Sequence, residues 1–450
     1  MHSCSLESSH DLTDIASALS DQYPYLLDSA ASGPLGQYSL LLRSSGETLS
    51  SHSDGSITGA GTGGDFLSRL NDWFQHETQT QTDKSGWPFI GGWFIYLGYE
   101  LAAEIEPVVD FPPATDGFPV AFASRCPAVI YSLPDQPGLL QLVAETRPLL
   151  KKMRQELENL NVSAIDSPIK LRELSADQPG EFKLALAKIH EYILDGDVFQ
   201  VNLSRGWHGR FDQDVDPASL YRSLGENNPA PFAGMIRWGD YALMSSSPER
   251  LVHINQGEVQ SRPIAGTRPR GKDSDADQAL SRELLEHPKE RAEHIMLIDL
   301  ERNDLGRVCQ TGSVEVDELM VVESYQHVHH IVSNVRGKLR SEVTPVDVIR
   351  AVFPGGTITG CPKVRCMEII AELEQHGRSF YTGSFGYLGL DGSMDLNILI
   401  RSMLLHRNNI SFRTGAGIVA DSIAEAEVKE TEDKARGLLR ALGVVQTEFP

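Results

Sequence analysis

Residues 288–306 read PKERAEHIMLIDLERNDLG, and the rest of the chain is best read outward from them. The central AEHIMLIDL is aliphatic round nearly the whole helical wheel, the pattern of a helix buried within a large domain. Glu290, Glu293 and Asp299 nevertheless sit in this stretch. A carboxylate out of water is costly to ionise unless it is paired or holds a metal. Glu290 and Glu293, three residues apart, share one helix face. Two readings stay open: internal ion pairs with Arg291, Arg302 and Arg307, or a Mg²⁺ site.

On the amino-terminal side the pattern is mostly of strands. YPYLLDSAASG from Tyr23, QYSLLLRS, WPFIGGWFIYLGYEL, FPVAFASRCPAVIYSL and LLQLVAET are apolar and broken by turn residues,. An amphipathic helix around FLSRLNDWF interrupts the Gly/Ser/Thr-rich region 51–85. The spacing predicts a β-rich first domain over 1–150 and a linker over 151–175, where a charged helical segment runs into NVSAIDSPIKLRELSADQPG. The second domain, 176–450, opens with the helix EFKLALAKIHEYILDGD and the strand VFQVNLSRGW. Next come a hairpin (YALMSSSPERLVHI, GEVQSRPIAG), the acidic helix and the strand GSVEVDELMVVESY. VIRAVFPGGTITGCPKVRCMEIIAELEQ reads as strand, glycine loop and helix, and FYTGSFGYLGL, MDLNILIRSMLLH and ISFRTGAGIVA as three strands before a last helix. Hairpins with helices outside them predict an α+β fold: a large, sandwich-like core of antiparallel sheets.

At 450 residues the chain can bury a substantial core,. A net charge of −22 argues against nucleic-acid or anionic-membrane surfaces and requires a local cation to hold an anionic substrate,. There is no membrane-length apolar run, and MHSCSLESSHDL lacks the features of a signal peptide, so a cytoplasmic protein is expected,. Five scattered cysteines fit that compartment,.

The last helix is expected over 423–442, with Ser422 and Glu425 as a capping box,. Val428, Thr431, Ala435, Leu438, Leu439 and Leu442 form its apolar stripe, and Glu427, Glu430 and Lys434 its edge. Glu427 and Glu430 repeat the Glu-x-x-Glu spacing of Glu290 and Glu293. Two such helices can offer one Mg²⁺ its oxygen ligands. PGGTITGCPK and TGAGIVADS are expected as glycine loops whose N–H groups meet an anion at a helix start. Lys363 is followed by Val364, so the Walker pattern fails and nucleotide binding is rejected. Glu249, in SSSPERL, suits a general acid if burial raises its pKa. The histidines of HVHHIVS alternate along a strand and do not make a zinc site, which leaves a single functional His330.

Taken together, GDVFQVNLS, SSSPER, RPIAGTRPRG, ERAEHIMLIDLERNDLGRV, FPGGTITGCPKVRCMEII, MDLNILIR and TGAGIVADSIAEAEVKETEDKA resemble the chorismate-utilising enzymes over about residues 183–440. The resemblance implies that Glu290, Glu293, Glu427 and Glu430 hold a Mg²⁺ that grips the ring carboxylate. It implies Glu249 as the acid protonating the departing C4 hydroxyl, and His330 and Thr357 as ring-side contacts. Tyr381, Arg401, Gly415, Gly417 and Lys434 then belong to the substrate site, where the enolpyruvyl carboxylate binds.

Within the family, FPGGTITG looks like aminodeoxychorismate synthase component I, which aminates chorismate for para-aminobenzoate and folate synthesis. Ala265, in PIAGT, and Tyr381 look like anthranilate synthase component I. The best-known aminodeoxychorismate synthases carry a lysine at position 265, which is proposed to add at C2. Isochorismate synthases expect a lysine base where this chain has Gln200 and Asn202. No cysteine sits in a glutaminase-like elbow, so the resemblance implies that a glutamine amidotransferase partner delivers the ammonia. Leu27, Asp28 and Ser29, in LLDS, resemble a segment beside a tryptophan pocket in the family.

Overall fold

At three places an apolar stretch that reads as continuous in sequence changes sheets. The strand Ala121–Cys126 gives way to Ala128–Ser132 at Pro127, which has no N–H to continue a ladder,. Tyr241–Ser247 crosses to Arg250–Asn255 through Pro248 and Glu249. Met394–Asn397 crosses back to Ser402–His406 through Ile398–Arg401, where Arg401 has φ +53°. The result, a computed structural model, describes residues 1–29, 38–78, 86–162, 169–324 and 328–444. Parts of the stretches read above, 30–37, 79–85, 163–168 and Tyr325–His327, lie outside the described residues.

Among the described residues there are two antiparallel sheets, of 12 and 11 strands. The first runs, in spatial order, from His2–Glu7 through Leu139–Ala144, Ala128–Ser132, Ser39–Arg43, Tyr25–Asp28, Phe232–Trp238, Tyr241–Ser247, Ser402–His406, Asn409–Ile418 and Gln200–Phe211 to Leu171–Ala176. The second runs from Ile264–Pro269 past Val328–Lys338, Arg250–Asn255, Ser384–Gly389 and Gly92–Leu97 to Ile57–Gly59. Between them an aromatic core packs Tyr25 on Phe94, their rings stacked 4.2 Å apart, with Phe122, Phe385 and Leu404 around them. Helices cover both outer faces: Phe66–Glu77 and Pro288–Gly306 on one, Arg147–Glu158 and Ala424–Ala441 on the other. The expected α+β sandwich is borne out.

The two-domain division is not how the sheets are built. Tyr25–Asp28 pairs with Phe232–Trp238, and Gly92–Leu97 with Ser384–Gly389, so both sheets join the region before residue 150 to the region after 176. Gly92–Leu97 is buried at all six positions, and the later part of the chain supplies a ladder along one of its edges. Within 151–175, expected as a linker, lie the end of the helix Arg147–Glu158 and most of the strand Leu171–Ala176.

Three further expectations are corrected. VIRAV belongs to the helix Pro345–Val352, not to a strand, because Thr344 and Asp347 form a capping box at its start (3.2 and 2.8 Å),. The acidic helix Pro288–Gly306 is buried on one side only. His294, Leu297, Ile298, Glu301 and Leu305 face inward, while Ile295 and Asp299 are exposed and Asp299 pairs with Arg302 (2.9 Å). The last helix runs Ala424–Ala441 without the Ser422/Glu425 box. Ser422 Oγ accepts instead from the Val419 amide (3.1 Å), and Glu425 pairs with Lys183 (2.9 Å).

Candidate active site

The crossovers at Glu249 and Arg401 open onto one cavity of about 830 Å³, bounded also by the acidic helix, the last helix and the strands Gln200–Phe211 and Asn409–Ile418. Leaving a strand frees a side chain from the alternation of the pleat, which is how two neighbouring chain breaks point into the same space. All twelve residues assigned from sequence to catalysis, substrate and metal line this cavity.

Its floor is a row of glycines. TGAG proves not to be a loop before a helix: it lies inside Asn409–Ile418, in register with Gln200–Phe211. A Cβ on Gly415 would stand 2.6 Å from the Tyr381 hydroxyl, and one on Gly417 2.4 Å from Gln200 Nε2. Side chains at either position would fill the cavity from below. In the other glycine segment Gly356–Ile358 forms a short 3₁₀ turn, and Gly360–Cys361 then pairs with Gln200 and Val201 before the helix Lys363–Glu374.

Burial pushes the Glu249 carboxyl up to about 7, opposed by the neighbouring Thr357 hydroxyl and then by Arg401. Glu249 Oε1 is sealed from solvent without a hydrogen-bond partner among the described residues. Burial and then Arg401 push His330 down to about 4, so its ring is neutral at ordinary pH. Its neighbour His329 points elsewhere, to Asp277 (2.9 Å), as strand alternation required. Most of the cations lining the cavity are already paired. Arg268 binds Glu283 and Glu290 (both 3.1 Å), Arg413 binds Glu374 (3.3 Å), Lys434 binds Glu430 (2.7 Å) and Arg436 binds Asp433. Arg401 has no ion pair among the described residues, and burial lowers its pKa. A substrate carboxylate is the natural counter-ion for such a guanidinium.

The four carboxylates line one cavity from two helices, and the ion pairs seen there are not with the arginines proposed as their alternative. Glu290 pairs with Arg268 rather than Arg291, Arg302 or Arg307, and Glu293 accepts from Gln200 Nε2 (3.1 Å). An all-oxygen donor set of this kind suits a hard cation such as Mg²⁺. With the side chains as they stand, no three His, Cys, Asp or Glu among the described residues are close enough to share an ion.

Leu27, Asp28 and Ser29 lie in a different cavity, of about 340 Å³, that shares no lining residue with the first. Asp28 is buried there and accepts from Ser39 Oγ (2.5 Å) and the Tyr221 hydroxyl (3.0 Å); burial raises its pKa. Sequence reading missed Arg413 and its partner Glu374. The alternation Arg413, Gly415, Gly417 is the signal that could have found Arg413, since residues two apart on a strand share a face.

A sandwich whose strand crossovers deliver a proton-bearing carboxyl and a guanidinium with no ion pair among the described residues to a cavity that two helices line with carboxylate pairs offers an enzyme site for a small anionic molecule. The chain belongs to the chorismate binding enzyme family, which residues 31–440 match, and it is a chorismate-utilising enzyme. It is 45% identical over 360 residues to a Synechocystis protein named anthranilate synthase component I-like, covering 79% of this chain and 73% of that one. It is 39% identical over 406 residues to the Bacillus subtilis aminodeoxychorismate synthase component 1, covering 86% and 84%. The crystal structure of anthranilate synthase component I from Streptococcus pneumoniae superimposes with a TM-score of 0.80 at 32% identity, covering 91% of this chain and 93% of that one. Among the described residues no helix is long and apolar enough to cross a membrane.

Proposed function

We propose that the chain aminates chorismate with ammonia to 4-amino-4-deoxychorismate. The observation that carries the reading is Glu249, a buried carboxyl that keeps its proton to about pH 7 in the same cavity as the unpaired Arg401. Arg401, with the Tyr381 hydroxyl above Gly415, anchors the enolpyruvyl carboxylate. Glu249 then passes its proton to the C4 oxygen, so that the hydroxyl leaves as water rather than as hydroxide. Neutral His330 and Thr357 border the ring. Gln200, where a water-adding relative would need a lysine base, suits a nucleophile that arrives as neutral ammonia. Glu290, Glu293, Glu427 and Glu430 would hold Mg²⁺, which when bound supplies the positive charge for the ring carboxylate. A glutamine amidotransferase partner would release ammonia into the site.

The FPGGTITG segment and the B. subtilis relative's name support C4 amination. Ala265 favours a second reading, conversion of chorismate to anthranilate and pyruvate. Its methyl group lines the cavity and cannot form an amine adduct. Mass spectrometry after incubation with chorismate, Mg²⁺ and ammonium separates the two. Aminodeoxychorismate without anthranilate supports the first reading, and anthranilate with an equal amount of pyruvate replaces it with the second.

A further inference from the structure

Glu374 is enclosed behind the cavity wall and accepts five hydrogen bonds. They come from Arg378 Nε and Nη2 (3.0 and 2.6 Å), Arg413 Nη2 (3.3 Å), and the Ser204 amide and hydroxyl (2.9 and 2.8 Å). Burial opposes its ionisation, but Arg378 and then Arg413 outweigh it and hold the carboxyl below its usual range. One carboxylate therefore faces two guanidiniums, and the cluster has an excess of positive charge. Arg378 cannot use that excess on a ligand. It is 2% exposed, donates to the carbonyls of Asn202 (2.8 Å) and Ile358 (3.1 Å), and lies 4.9 Å and 5.7 Å from the ring centres of Tyr99 and Tyr381.

Arg413 differs, because it lines the cavity. On Asn409–Ile418 it shares a face with Gly415 and Gly417, so it stands at the end of the glycine floor,. Its Nε donates to Ser204 Oγ (3.0 Å) and its Nη2 to Glu374, while Nη1 makes no hydrogen bond among the described residues. Arg401 and Arg413 both act electrostatically on Tyr381, whose hydroxyl lies over Gly415. Two guanidiniums and the Tyr381 hydroxyl thus border the same part of the cavity, beside Gly415.

We propose that Arg413 is a second anchoring guanidinium, held at the end of the glycine floor by Glu374, which with Arg401 and Tyr381 binds the side-chain carboxylate of the substrate. The inference rests on the reading of the site given under Proposed function. Arg413 grips a group that does not react, so it binds ground state and transition state alike and its loss acts on KM.

The test measures chorismate consumption with ammonium and Mg²⁺ for wild type, Arg413→Gln and Arg413→Lys, with thermal midpoints for all three. Loss of one charge-assisted bond to a carboxylate raises KM about tenfold in Arg413→Gln and leaves kcat within about twofold. Arg413→Lys recovers part of the KM, and the midpoints stay together. An Arg413→Gln enzyme with wild-type KM overturns the proposal. So does a fall in midpoint and kcat shared by both variants, which marks Arg413 as structural. If wild type itself does not consume chorismate, the reading of the whole site fails, and that outcome is distinguishable from an unmoved KM.

Discussion

Replacing Glu249 with glutamine is expected to abolish turnover and at the same time to stabilise the folded chain at alkaline pH. Folding raises this carboxyl from 4.5 to about 7, chiefly by burial, so the folded chain holds the proton more tightly than the unfolded one. The stability linked to that proton is complete below about 4.5 and is lost as pH rises through about 7,. At about 1.4 kcal/mol per unit, the wild type gives up about 2 to 3 kcal/mol between pH 5 and pH 8.5 through this group. Glutamine, neutral throughout, gives up none of it. Glu100, also buried and pushed up to about 7, titrates in both proteins and cancels in the comparison, whereas Glu301 feels the Glu249 charge and has its pKa raised slightly less in the variant. For a chain of this length the difference corresponds to a shift of about 3 °C in thermal midpoint. Calorimetry of both proteins at the two pH values measures it. If the change in midpoint between pH 5 and pH 8.5 is the same in both, Glu249 is not an uncharged acid near neutrality, and its role as proton donor loses its basis.

Three further outcomes are expected. Glu293→Gln or Glu430→Gln eliminates turnover with the thermal midpoint retained, and excess EDTA does the same to wild type; full activity in EDTA would remove Mg²⁺ from the account. With ammonium salts the isolated chain works along a bell-shaped pH profile. Activity rises with free ammonia up to about pH 7, levels off where loss of the Glu249 proton cancels the further gain in ammonia, and falls once the ammonium is fully deprotonated; glutamine serves only after an amidotransferase is added. Glutamine consumption by the chain alone, at the rate of amination, would contradict that partner. Titration calorimetry with tryptophan tests the cavity at Leu27, Asp28 and Ser29, and absence of heat at millimolar ligand removes tryptophan as its occupant.

The site was more legible than the fold that carries it. Glu290 and Glu293 stood out because carboxylates in an aliphatic helix violate the hydrophobic pattern, and the glycines because no side chain fits where a ligand or ring approaches. The crossovers did not stand out. MDLNILIRSMLLH reads as one mainly apolar run because strands between two packed layers are buried on both faces, and neither Gly nor Pro marks where the chain leaves one sheet for the other. Arg401 occupies that corner with a positive φ no arginine prefers, a conformation imposed by the strands on either side,. VIRAV was missed for a different reason: its residue types favour strand, while the Thr344–Asp347 cap and packing decided for helix,. Arg291 and Arg302 looked like partners for the acidic helix because they are near in sequence, whereas Arg268 reaches Glu290 from a neighbouring strand.

The interleaving of early and late strands also governs how the polypeptide can be made. As the chain leaves the ribosome, Gly92–Leu97 exposes an apolar edge that stays open until Ser384–Gly389 has been synthesised, and Tyr25–Asp28 waits for Phe232–Trp238. Nascent chains in that interval carry unpaired, aromatic-rich ladders, the kind of surface that aggregates or recruits chaperones. A fragment ending near residue 175 would keep both edges open permanently, so the two parts are expected to be soluble only when produced together.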